Sequence, residues 1–125
     1  MALQHAGSGE KIALQRSDTD IAHFTSVALA KTEHMEIIRL VLPKERPMRE
    51  HRVDGEMTLQ CLEGEIALDA HGRTTILRPG EMVYLAGGEP HGVRANSDAV
   101  ALMTILLKRP NGGGPTDDPR GSGVK

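Results

Sequence analysis

The chain has 125 residues, 38% of them hydrophobic and 26% charged, with a formal net charge of −2. That length fits one domain with one sizeable core, and the near-neutral charge gives no bulk electrostatic reason to expect nucleic acid or an anionic membrane as a partner. One Phe, one Tyr and no Trp leave almost nothing on which to stack bases or sugar rings, and the six Met can fill core volume that aromatics usually take.

In chain order, residues 1–10 lack a basic segment followed by an apolar one, so no secretory signal is expected, and they read as a flexible N-terminus. The working domain is expected over 11–108. Its one helix candidate is 18–30, where "SDTD" could cap "IAHFTSVALA". The β-branched residues there favour a strand from about Phe24 instead. "MEIIRLVLP" (35–43) is apolar and β-branched and stops at Pro43. "EMTLQCLEGEIALDAHGRTTIL" (56–77) reads as two hairpins, turning at Glu63-Gly64 and His71-Gly72. "RPGE" (78–81) reads as a type II turn. "MVYL" (82–85), "HGVRA" (91–95) and "AVALMTILL" (99–107) complete the set. Turns at this spacing predict an all-β sandwich or barrel. The last run is too short to span a bilayer as a helix. The tail at 109–125, rich in Gly, Pro and charge, is expected to be disordered. Cys61 is the only cysteine, so no intramolecular disulfide can form. The expected location is cytoplasmic.

Two histidines stand out by spacing. Gly80 is followed by five residues, Ala86, one residue, Gly88, two residues and His91. Upstream, "ERPMREHRVDGEMTLQCLEG" (45–64) ends on Gly64 and holds His51. The first pattern resembles the second cupin motif, G-x5-P-x-G-x2-H-x3-N, with Ala86 for the proline and Ala95 for the asparagine. The upstream stretch resembles the first cupin motif. His51 is on its first histidine, while Val53 replaces the second, Met57 the glutamate and Glu45 the leading glycine. The resemblance covers about residues 35–107 and is to small single-domain RmlC-like cupins.

The resemblance implies an all-β cupin, a double-stranded β-helix of two antiparallel sheets rolled around one pocket. It implies that His51 and His91 point into the lumen from neighbouring strands and face each other there. Strand alternation then places Met57, Leu59 and Cys61 inside, and Thr58 and Gln60 outside. Cupin sites commonly use three histidines and a carboxylate, a set suited to Fe, Mn, Ni or Zn.

Three readings of the His51/His91 pair follow. It could be a weak, open divalent-metal site, since two imidazoles fall short of the usual three or four ligands. It could be the polar end of an otherwise apolar pocket for a small organic acid or carbonyl compound. It could be a structural pair that does no chemistry. Met57 as a third ligand would favour Cu, but its ordinary role is core filling. Glu56 would turn inward only if a bulge near Asp54-Gly55 shifted the strand by one residue; otherwise it is an exposed carboxylate. The expected pocket lining is His51, Val53, Met57, Leu59, His91 and Tyr84, with Tyr84 either at the mouth or half-buried in an ordinary way. Cys61 lies about 13 Å along the strand from Met57, too far to share a metal, and reads as a small buried hydrophobe. Arg49, Arg52 and Arg94 read as rim charges.

The expected function is therefore small-molecule binding. The alternatives are a metal-dependent oxygenase or isomerase, and a non-catalytic sensor or accessory protein. Because 35–43 and 99–107 are apolar on both faces, a homodimer is expected to cover them.

Overall fold

The computed structural model describes residues 5–15, 25–44 and 47–107. The tail at 109–125 and most of the helix candidate before Thr25 lie outside these residues. Among the described residues nine strands follow in chain order: β1 (Thr25–Lys31), β2 (Met35–Leu42), β3 (Met48–His51), β4 (Met57–Glu63), β5 (Ile66–Ala70), β6 (Arg73–Leu77), β7 (Met82–Leu85), β8 (His91–Ala95) and β9 (Ala99–Leu106). The segment that could have been helix is a strand over 25–31.

All pairing is antiparallel and falls into two sheets. One sheet runs β1-β2-β9-β4-β7 and the other β3-β8-β5-β6. The chain crosses repeatedly between them, as a double-stranded β-helix requires. The turns carry the chemistry their residues suggest. His71 and Gly72 both have positive φ (55° and 74°), matching the right-handed twist of the β5–β6 hairpin. Glu81 N–H donates to the Arg78 carbonyl across the Pro79-Gly80 turn. At the β4–β5 turn Gly64 has a φ of 77°. A Cβ there would sit 2.2 Å from the Asp98 carbonyl oxygen, so the turn and the β9 entry can pack only around glycine.

Strand alternation builds the core. Met57, Leu59 and Cys61 of β4 interleave inward with Leu40 and Leu42 of β2 and Ala101, Met103 and Ile105 of β9. Ile66, Leu68, Leu77, Val93 and Ala95 face them from the second sheet. Thr58 and Gln60 lie on the outer side of β4, half-buried.

The two outer faces differ. On the four-stranded sheet, Asp69 accepts hydrogen bonds from Thr74 and Arg94, a water-facing polar cluster. On the five-stranded sheet, Val41 and Val100 are cross-strand partners with 0% exposure although they point away from the core. Residues 5–15 lie along this side: Ala6 N–H donates to the Leu29 carbonyl, and Arg39 donates to the Gln15 carbonyl. Among the described residues, no helix is long and apolar enough to cross a membrane.

Candidate functional site

His91 opens β8, a strand paired on both sides, by β3 and by β5. Its side chain has 0% exposure, and it is the one buried polar or charged residue among those described. His51 ends β3, the edge strand of the same sheet, and is exposed. The two are direct cross-strand partners, with ring centroids 4.5 Å apart and ring planes inclined at 56°. They lie side by side on neighbouring strands of one sheet rather than across the barrel.

A bulge makes this pairing. Met48 pairs with Val93 and His51 with His91, so three steps along β3 match two along β8. In a regular ladder a residue three positions on points to the opposite face. The extra residue at Arg49-Glu50 turns His51 back to the side of Met48 and Val93. No bulge is needed at Asp54-Gly55. Gly55 instead passes so close to β9 that a Cβ would overlap the Leu106 carbonyl oxygen.

Both imidazoles are anchored in the same way. His91 Nδ1 lies 3.0 Å from the Glu89 carbonyl oxygen, and His51 Nδ1 lies 3.2 Å from that of Arg49. A carbonyl only accepts, so each Nδ1 carries the proton and each Nε2 of the neutral ring presents a lone pair. His91 Nε2 is buried, and no described group hydrogen-bonds to it. Burial holds the His91 pKa below the ordinary imidazole value, and the neighbouring His51 adds to this; the hydrogen bond to the Glu89 carbonyl and the carboxylates of Glu89 and Glu50 oppose it.

The other expected site residues separate into two groups. Met57 and Leu59 are buried, and Val53 packs against the same core. Tyr84 does not line the lumen: its neighbours Leu85 and Val83 turn inward, which leaves the phenol 56% exposed on the outer face. Glu56 is exposed and accepts a hydrogen bond from Tyr84 Oη at 2.5 Å, so its carboxylate is engaged with that outer-face phenol. Cys61 is buried; its thiol donates to the carbonyls of Glu63 and Gly64, and burial pushes its pKa up. It is a turn clamp, not a thiolate. The sequence reading missed the bulge, the two carbonyl anchors and the approach of Glu50 and Glu89. None of these carried a sequence signal, because a main-chain carbonyl stands two residues before every position and a bulge is defined only against its partner strand.

Among the described residues the donor set at the histidine pair is too small for a resident transition metal. Among the described residues, no group of three or more His, Cys, Asp or Glu side chains could hold one. Met57 belongs to the packed core, and its thioether is a soft, weak donor. Two imidazoles alone do not make the three- or four-ligand site that Fe, Mn, Ni or Zn takes.

Comparison with known proteins agrees with this architecture. A cupin superfamily protein from Desulfitobacterium hafniense superposes with a TM-score of 0.69 at 16% identity, covering 86% of this chain and 99% of that one. An RmlC-like cupin family protein with a double-stranded β-helix fold, from Methanocaldococcus jannaschii, gives 0.67 at 20% identity, covering 81% and 94%. A conserved protein of unknown function from Streptococcus pyogenes gives 0.70 at 15% identity, covering 87% and 96%. No curated protein matches the sequence. Residues 39–107, more than half of the chain, match the cupin domain family. With that match, two antiparallel sheets exchanging strands and the paired histidines in register, the chain belongs to the cupin family.

Proposed function

We propose that this cupin binds a small organic molecule in its barrel, with the His51/His91 pair as the polar end of an otherwise apolar site. The observation that carries the reading is His91 Nε2, a buried lone pair without a protein partner among the described residues, beside a second imidazole that reaches solvent. A buried polar atom left unpaired costs about 1–3 kcal/mol, so a fold that keeps one there favours a ligand that satisfies it. Leu68, Val93, Met57 and Leu85 belong to the apolar core of the same barrel, the kind of surroundings such a site uses. A metal-dependent oxygenase or isomerase is the weaker reading, because the donor set among the described residues stops at two.

The test is thermal denaturation against a panel of small alcohols, acids and carbonyl compounds, with metal analysis of protein purified without chelator. A ligand at a hundredfold excess over its Kd adds about 2.7 kcal/mol, which raises Tm by several degrees. The gain should vanish in a His51→Ala/His91→Ala variant. Stoichiometric Fe, Mn, Ni, Zn or Cu lost in that variant would establish the metal enzyme instead.

The functional unit is a homodimer in this reading. Met82, Tyr84 and Leu106, all about half-exposed, share the outer face of the five-stranded sheet, where apolar area is left to cover. Sedimentation should give a dimer that Leu102→Glu, on the same face, converts to monomer.

A further inference from the structure

The chemistry of the two histidines narrows the ligand class. This step rests on the small-molecule reading above and deepens it. Each Nδ1–H is already committed to a main-chain carbonyl two residues upstream. What each neutral ring offers to a ligand is therefore an Nε2 lone pair, an acceptor. At His91 that acceptor is fully buried, and no described residue donates to it. Burial also disfavours the imidazolium that would turn Nε2 into a donor. Glu50 flanks His51 on β3, and Glu89 supplies the carbonyl that anchors His91. Both carboxylates act on His91 electrostatically.

We propose that the site selects a neutral ligand carrying its own O–H donor, an alcohol, phenol or enol, and rejects free carboxylates. A hydroxyl delivered to His91 Nε2 completes the orphaned acceptor. A carboxylate would set acceptor against acceptor beside two further negative charges, and an ether of the same shape would leave Nε2 unpaired. The apolar body of the ligand then lies against the inward side chains of the core. The preference for an uncharged donor distinguishes this site from one that neutralises organic acids.

Three probes of similar size separate these possibilities: phenol, anisole and benzoate. The readouts are the dissociation constant and the ¹⁵N shift of His91 Nε2 in full-length protein. Phenol should bind on the order of tenfold or more tighter than either of the others, and it should move the Nε2 resonance. His91→Phe, which keeps a ring and removes the acceptor, should abolish the preference. If that variant does not fold, the wild-type nitrogen shift still decides. Equal or tighter binding of anisole or benzoate would overturn the donor assignment and leave small-molecule binding standing. Zn²⁺ that is retained stoichiometrically and displaces phenol would overturn it in favour of a metal. No response of Nε2 to any probe would overturn both readings.

Discussion

The two strands that carry the histidines are built in opposite ways. β8 is an inner strand, paired regularly with β5 and through a bulge with β3, and it buries His91, Val93 and Ala95 in alternation. β3 is a four-residue edge strand that is mostly exposed and contains a bulge. One histidine is held by the core and the other by a local irregularity at the rim. The pair therefore combines a fixed acceptor with one that reaches solvent, an arrangement suited to a ligand that enters past His51 and ends on His91. It also means that the pair depends on the register of its weaker strand.

Changes in the length of β3 should break this comparison most sharply. One Ala inserted between Glu50 and His51 lets β3 run regularly with Glu50, not His51, opposite His91. The contact between imidazoles, read by nuclear Overhauser effects, should disappear, and so should the ligand response. Stability should fall by about 1 kcal/mol or more as a carboxylate meets a buried ring. Deleting Glu50 is the control. It removes the extra residue, brings His51 two positions from Met48, and should keep the contact. A deletion that abolished it would show that the bulge does more than set facing.

Acid should act on the buried member. His91 is held below the ordinary value of 6.5 by burial first, with His51 adding and Glu89 and Glu50 opposing. Between its folded pKa and about pH 6.5 the unfolded chain binds the extra proton, so stability rises with pH across that window and levels off above it. Denaturation midpoints of wild type should therefore fall as pH drops below 6.5, relative to a His91→Gln variant. An identical slope in the two proteins would assign the proton to another group. The smallest effect is expected at the rim, where His51→Ala should change unfolding free energy by no more than about 0.5 kcal/mol. A larger loss would mean that the exposed ring supports the fold as well as the site.

The fold was largely legible because its signals are local. Alternation fixed the inner face of β4, and the glycine turns at 64, 72 and 80 fixed the strand breaks. That His51 and His91 would lie near each other was an implication of the cupin resemblance, not of composition or periodicity. The bulge that achieves it had no such basis. A bulge is a two-on-one match with a partner strand, and Met48–His51 contains no glycine to mark it. The bulge weighed near Asp54-Gly55 concerned only whether Glu56 turns inward, and there the constraint is the nearness of β9 to Gly55. Tyr84, weighed at the pocket mouth or as ordinarily half-buried, faces outward because the parity of Val83 and Leu85 sends it there.

That outward phenol has a practical consequence. The chain holds one Tyr and no Trp, and the hydroxyl of that Tyr is tied to Glu56 on the outer face of the larger sheet. All near-ultraviolet absorbance from tyrosine therefore originates at a single spot, on the outer face of the sheet that does not carry the histidines. A second copy or any other body settling there must bury or separate the phenol and its carboxylate. The protein thus carries an intrinsic optical gauge of that face, readable without a label and independent of what the barrel holds.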